Sequence, residues 1–191
     1  VFPWQHFVPI ACTQSTEVPR LPTVNIHHAK GMALVIEELE CRGARRIGFL
    51  GDEVEDSRQD FGWLGGIDLY RHRGGQADVS SLLFKESPSE KAIRSWMKRL
   101  RLEALIVTQG FFGKTSYLEG LIPRASLDVP MKELHKVAGL YQNSTQIGRH
   151  TVRSLAIRLV NGILGLPDHP FSVVSQASFV EGESIRLLAK H

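Results

Sequence analysis

The chain has 191 residues, 42% of them hydrophobic and 23% charged, enough for one substantial core or two small ones. Its 17 Gly and nine Pro stay well below the ~25–30% that marks low-complexity chains. A formal charge of +3 without clustered Lys and Arg argues against a phosphate-binding surface, and the longest apolar run, 32–36, is far too short to span a membrane. Cys12 and Cys41 cannot make a disulfide framework and match no metal-ligand spacing, which fits a reducing interior. The sequence opens at Val1 with neither a signal segment nor a helical DNA-reading module, so a longer protein is expected upstream.

In chain order, residues 7–13 read as a short apolar strand and 23–26 as a second, with a Pro-punctuated loop between them. Met32, Val35, Ile36 and Leu39 repeat at helical spacing, predicting a helix over 31–42 that Gly43 ends in a left-handed conformation. Ile47 to Leu50 is a buried strand closing on Gly51-Asp52. A helix over 61–73 turns Leu64, Ile67 and Tyr70 inward and stops at Gly74-Gly75, and 82–84 is a short strand. Ser87-Pro88-Ser89-Glu90 reads as a capping box opening a helix with Ile93, Trp96, Met97 and Leu100 buried. Residues 104–107 form an all-apolar strand, 114–122 a short helix and 137–141 another strand. Asn143 caps a long helix whose apolar face carries Val152, Leu155, Ala156, Leu159, Val160 and Ile163. Gly165, Pro167 and Pro170 end it, and 171–180 is extended.

Strands alternating with helices, most strands apolar throughout, imply an α/β fold with parallel sheet covered on both faces. In such sheets ligands bind beyond the carboxyl ends of strands, where the strand order switches. That rule selects His27-His28, Gly51-Asp52, Thr108-Gln109 and Gln142-Asn143.

Two stretches resemble the sensing domain of the lactose repressor/galactose repressor (LacI/GalR) family of transcription regulators. The first runs Val24-Asn25-Ile26-His27-His28-Ala29-Lys30-Gly31, then Leu39, Gly43 and Arg45-Arg46-Ile47-Gly48-Phe49-Leu50-Gly51. The second is Gly139-Leu140-Tyr141-Gln142, Ile147-Gly148, Leu155, Gly165-Leu166-Pro167 and Phe179-Val180-Glu181-Gly182-Glu183-Ser184. The resemblance implies a periplasmic-binding-protein-like I fold: two Rossmann-like lobes with parallel sheets, closing on a small effector, the amino-terminal lobe incomplete. Residues 1–26 would be part of that lobe, 27–141 the carboxy-terminal lobe, 142–170 a crossover and helix of the amino-terminal lobe, and 171–191 a return to the carboxy-terminal one.

Departures from the family pattern bear on the ligand. His27 stands where the family has Asp, Trp63 where it has a clamping Arg, Thr108-Gln109 where it has Asn-Asp, and Gly182 where it has Arg. Between Val129-Pro130 and Val137 the family places a further strand, and only 131–136 remain for it. His27, Trp63, Thr108, Gln109 and Gln142 are therefore the candidate ligand-binding set. Trp63 can stack on a ring of the effector or serve as lobe core, and His27-His28 can line a cleft, bind metal or be loop polarity. No third ligand has helical spacing to the His pair, so no metal is expected, and no cofactor.

No nucleophile elbow or oriented Cys-His arrangement can be read, and Asp52, Glu53, Glu55 and Asp56 read as an acidic, solvent-facing turn, so catalysis is not expected. The expected role is effector sensing and dimerisation in a cytoplasmic transcriptional regulator. Its partners would be a small molecule, operator DNA through a helix-turn-helix module outside this chain, and a second copy, with no membrane. A short helix bearing Tyr117, Leu118, Leu121 and Ile122 could supply an apolar dimer contact. The alternative is a solute-binding receptor of a transport system, which shares the fold.

Overall fold

The computed structural model describes residues 2–13 and 19–188. Along these residues lie β1 (Ala11–Cys12), β2 (Thr23–Ile26), α1 (His28–Cys41), β3 (Arg46–Asp52), α2 (Glu53–Ser57), α3 (Gly62–His72), β4 (Asp78–Phe84), α4 (Glu90–Leu100), β5 (Ala104–Val107), α5 (Gln109–Phe112), β6 (Arg124–Ser126), β7 (Ala138–Tyr141), α6 (Ser144–Val160), β8 (Ser172–Ser175) and β9 (Ser178–Val180). Contacts divide them into two compact units. The smaller takes Val1–His27 and Asn143–Ala177, the larger His28–Gln142 and Ser178–His191, each through its described residues.

The larger unit is built on a sheet of order β4-β3-β5-β6-β7-β9, parallel from β4 to β7, with β9 antiparallel against β7. Ile47, Phe49, Leu50 and all four residues of β5 are fully buried, as a strand covered on both faces requires. α1 and α3 pack together, contributing Val35, Ile36, Leu39, Ile67 and Tyr70 to the core. A second cluster gathers Leu50, Leu105 and Val107 against Ile93 and Trp96 of α4, with Phe111, Leu118 and Ile122 closing it. Each large side chain so buried contributes roughly 1.5–3 kcal/mol.

Tyr70 joins three segments of this unit. Its hydroxyl donates to Glu40 Oε2 at 2.6 Å and accepts from the Ala77 backbone N–H at 2.7 Å. Burial and the Glu40 carboxylate push its pKa up to about 12, so the phenol stays a donor. A Cβ at Gly75 would lie 2.1 Å from the Tyr70 ring, which explains a glycine there beyond stopping the helix.

The smaller unit has a parallel sheet of order β1-β2-β8 with α6 against it. Asn143 caps α6 as the spacing predicts: its side chain accepts from Gln146 N–H at 3.2 Å and donates to Gln146 Oε1 at 3.2 Å. The apolar stripe expected to be buried is instead largely open, with Val152 at 64% and Val160 at 85% exposure. Of this helix, only Ile147 and Arg158 are buried.

Several segments differ from the sequence expectation for identifiable reasons. The strand expected over 7–13 contracts to β1 because Pro9 has no N–H to give a ladder. β4 starts earlier, at Asp78, and carries Ser80 and Ser81 because it is an edge strand. The cap of α4 is Ser89, whose side chain accepts from Ala92 N–H, leaving Pro88 outside the helix. Where a helix was expected over 114–122 there is a 3-10 turn, Gly113–Leu118, and α5 precedes it. Leu118 and Ile122 are buried in the core, so that segment offers no continuous apolar contact face. The extended stretch 171–180 divides between two sheets, β8 pairing with β2 and β9 with β7. Three labelled elements had no counterpart in the sequence reading: α2, read as an acidic turn, α5 and β6.

Candidate functional site

The carboxyl ends of β3, β5, β6 and β7 form one continuous edge of the larger unit's sheet. Thr108 N–H donates to Leu50 O at 3.3 Å, and Leu127 N–H donates to Val107 O at 2.9 Å. Gln142 Nε2 reaches across to Leu127 O at 2.9 Å. Asp52 at the end of β3, Thr108 after β5, Asp128 after β6 and Gln142 after β7 thus lie along this edge. Gln109 is exposed at the start of α5, and Gln142 is half-buried. Three of the expected residues, Thr108, Gln109 and Gln142, thus share this edge. His27 closes the smaller unit's β2, its N–H donating to Ser175 O at 3.2 Å.

Trp63 lies elsewhere. It is 2% exposed inside α3, its ring meeting His28 edge-on at 4.6 Å between centroids. With no open face the indole cannot stack on a ligand, and the ring-stacking role expected of it is corrected to lobe core. Its Nε1 has no hydrogen-bond partner.

The same edge carries a group of carboxylates. Asp52 caps α2, its Oδ1 accepting from Val54 N–H at 2.8 Å and Glu55 N–H at 3.0 Å. Asp56 is fully buried, and its Oδ1 accepts the Trp63 N–H at 2.9 Å. The acidic segment is therefore a capped helix with one carboxyl turned inward, not a solvent-facing turn. Burial pushes the Asp56 carboxyl up against the N–H groups of Trp63 and Leu64, and burial raises Asp128 likewise. Glu55 is raised by burial first; the Thr108 hydroxyl opposes this, while Asp52, Asp128 and Asp56 add to it. Thr108 is 1% exposed and stands at the N-cap of α5, where a threonine ordinarily turns its hydroxyl onto helix N–H groups. Here it makes no cap bond. Oγ1 faces the Glu55 carboxylate instead.

Sequence reasoning passed over Glu55 and Asp128. The available signal was the rule that placed Thr108 and Gln142. Asp128 follows β6 by the same logic, but β6 itself was not seen. Among the described residues no group of three or more His, Cys, Asp or Glu converges to hold a metal ion, and no helix is long and apolar enough to cross a membrane. Cys12 and Cys41 are both free and exposed.

No family profile and no curated protein matches the sequence. Solved structures do match the fold. A LacI-family transcriptional regulator from Silicibacter pomeroyi superposes with a TM-score of 0.64 at 18% identity, over 93% of this chain and 58% of that one. A periplasmic binding protein/LacI transcriptional regulator from Alkaliphilus metalliredigens, complexed with D-xylulofuranose, gives 0.60 at 14% identity over 90% and 68% of the two chains. A LacI-family regulator from Enterococcus faecium with bound ribose gives 0.60 at 15% identity, again over 90% and 68%. The chain thus has the periplasmic-binding-protein-like α/β fold of LacI-family regulators and spans 58% of the length of the first of these structures.

Proposed function

We propose that this chain is the effector-sensing part of a LacI-type transcriptional regulator and not an enzyme. In the longer protein, a small molecule held at the carboxyl edge of the six-stranded sheet would modulate operator binding by a helix-turn-helix module. The observation that carries this reading is the edge itself. Thr108, Gln109 and Gln142 follow β5 and β7 where ligands collect in open parallel sheets, on a fold shared with sugar-bound regulators. Gln109 offers an exposed amide with donors and an acceptor, suited to orienting a small polar ligand.

Ligand binding would act by population shift. A molecule that prefers one state of a regulator dimer changes DNA affinity by its differential affinity for the two states. Thermal-shift screening of the 191-residue chain against sugars, nucleosides and small amines tests the first step. A true effector at a hundredfold its Kd adds ~2.7 kcal/mol of stability, and Gln109→Ala should weaken it. Hits that ignore substitutions at both Gln109 and Gln142 would overturn the assignment of this edge. The gene upstream of Val1 separates regulator from transport receptor: a helix-turn-helix supports the first, a secretory signal peptide the second.

A further inference from the structure

We propose that the larger unit carries a second ligand site, at the opposite end of its sheet from the effector edge, where Arg124 takes the carboxylate of a small monocarboxylic acid with an apolar body. This site goes beyond the effector reading and stands or falls without it. Arg124 opens β6, and at ~3.3 Å per residue it stands roughly 10 Å from Leu127, where that strand meets the effector edge. The residue is 4% exposed. Its Nη1 donates to Phe112 O at 3.1 Å, Thr115 O at 2.7 Å and Thr115 Oγ1 at 3.1 Å, and the guanidinium lies 4.7 Å from the Phe112 ring centre. Among the described residues no carboxylate forms an ion pair with Arg124, and its Nε and Nη2 have no hydrogen-bond partner.

A buried charge needs a counter-charge, whereas exposed lysines and arginines without an ion pair are stabilised by water. Burial lowers the Arg124 pKa from the ordinary arginine value, with Glu119, which stands beyond ion-pair distance, and Tyr117 opposing. Arg158, the other buried arginine, has its Nε sealed from solvent without a partner. The free N–H groups of Arg124 are not sealed in this way. They open on a cavity of about 530 Å³ that Arg124 lines, a size that suits a small organic molecule. Nε and Nη2 are neighbouring donors of the guanidinium fork, the arrangement that meets a carboxylate with two bonds. Phe112, Ile122 and Val137 give the same cavity an apolar wall. Lys136 and Arg186 line it too, but so do Glu119, Glu133 and Glu183, the last paired with Arg186 at 2.9 Å. Those acids disfavour a doubly charged anion such as phosphate, so the occupant is a single carboxylate on an apolar body.

Isothermal titration calorimetry of the full chain with benzoate, benzamide and inorganic phosphate as probes tests this. Benzoate and benzamide share ring and size and differ in charge. The expected result is saturable binding of benzoate, with benzamide and phosphate each weaker by about tenfold or more. Arg124→Met removes the charge and keeps the length of the side chain, and it should weaken benzoate by about tenfold or more. Because Arg124 also holds the carbonyls of Phe112 and Thr115, Leu187→Glu gives an independent reading. Leu187 lines the cavity at 60% exposure, so a charge there disturbs no core packing, and the added anion should weaken benzoate severalfold. A melting curve confirms that the Leu187 variant folds. Lys98→Gln, which removes a cation from the exposed end of α4, should leave benzoate affinity unchanged and so reads general charge attraction. Equal affinity for benzoate and benzamide, a preference for phosphate, or no saturable benzoate binding would overturn the proposal. So would benzoate binding indifferent to Leu187→Glu, or an equal loss in the Lys98 control. None of these results involves Gln109 or Gln142, and the thermal-shift screen judges the effector edge separately.

Discussion

The carboxylate of Asp56 accepts the backbone N–H of Trp63 at 2.9 Å, tying α2 to the first turn of α3. Between the two residues the chain passes through Asp60 and Phe61 with φ of 52° and 55°, a left-handed pair of non-glycine residues. Such backbone is held only where surrounding bonds over-determine it. Phe61 N–H returns to Asp56 O at 2.9 Å, so one residue anchors the loop through both its main chain and its side chain. The loop in turn sets the orientation of α2, and with it Glu55.

Replacing Asp56 should therefore loosen the loop and the helix together. Asp56→Ala leaves the Trp63 N–H buried without its acceptor, at a cost of ~1–3 kcal/mol. At ~2–4 °C per kcal/mol for a chain of this size, the melting temperature should fall by several degrees. Asp56→Asn keeps an acceptor oxygen and should lose less. Thermal unfolding followed by circular dichroism reads both, and equal losses would show that the bond to Trp63 is not what matters.

The same carboxyls give stability a pH dependence of unusual sign. Glu55, Asp56 and Asp128 all have folded-state values raised by burial above their unfolded ones. A raised carboxyl contributes stability that is fully present below the ordinary carboxyl range, near pH ~4, and is lost as pH climbs through the raised value. Glu103 works oppositely. The upward push of burial is outweighed by the N–H groups of Arg45 and Arg46 and by the Arg46 charge, so its contribution is lost as pH falls. The clean measurement is a difference: urea unfolding of wild type and Glu55→Gln from pH 7.5 to 5. The wild type should gain on the variant as pH drops, and a constant gap would contradict the raised Glu55.

Where local chemistry and tertiary packing agreed, the sequence was easy to read. Asn143 three residues ahead of Gln146 announced α6, and the all-apolar Ala104 to Val107 announced a central strand. The candidate site was half legible for the same reason, since Thr108 and Gln142 follow obvious strands. β6 was hidden because its residues are Arg124, Ala125 and Ser126, a polar triplet with no strand signature. Arg124 is nonetheless buried. Its Nη1 donates to Thr115 O at 2.7 Å and its guanidinium lies 4.7 Å from the Phe112 ring centre, so long-range partners and not local propensity place it in the sheet. Missing β6 concealed Asp128. Reading 52–56 as a turn concealed Glu55, because four acids in five residues resemble a solvated loop until the cap at Asp52 is seen. Trp63 was misplaced for a subtler reason: matching a family position says where a side chain starts, not whether an indole will seek the core.

Two adjacent glycines of α3 should respond in opposite directions to the same substitution. A Cβ on Gly66 would stand 2.4 Å from Met32 Cβ and 2.7 Å from the Ala29 carbonyl oxygen, atoms of α1 that cannot swing away. Gly66→Ala should force the two helices apart and cost ~1–3 kcal/mol or more. Gly65 points into open space with nothing within 4 Å and holds ordinary helical backbone. Gly65→Ala should stabilise by ~0.5–1 kcal/mol by removing unfolded-state freedom. Urea midpoints of the two variants would need to move in the same direction to sink this reading of the α1–α3 contact.

The last expectation concerns α6 of the smaller unit. Val152, Leu159 and Val160 are 64%, 62% and 85% exposed, and Ile163 just beyond the helix is 45% exposed. At helical spacing these residues fall on one side, so they form a stripe and not scattered apolar points. Contiguous exposed apolar surface on a folded chain marks an interaction site, and we propose a second copy of the chain as its occupant. Sheltering even two such side chains from water contributes roughly 1.5–3 kcal/mol each. The 191-residue chain should therefore self-associate at micromolar concentration, and Val160→Glu, which sets a charge on the most exposed residue of the stripe, should weaken association about tenfold or more. Because Val160 ends the helix and makes no core contact, the substitution should leave the melting temperature of dilute protein unchanged. Sedimentation velocity across a concentration series measures both proteins. A wild type that stays monomeric, or a Val160→Glu variant that associates as tightly as the wild type, would remove α6 from consideration as the self-association surface.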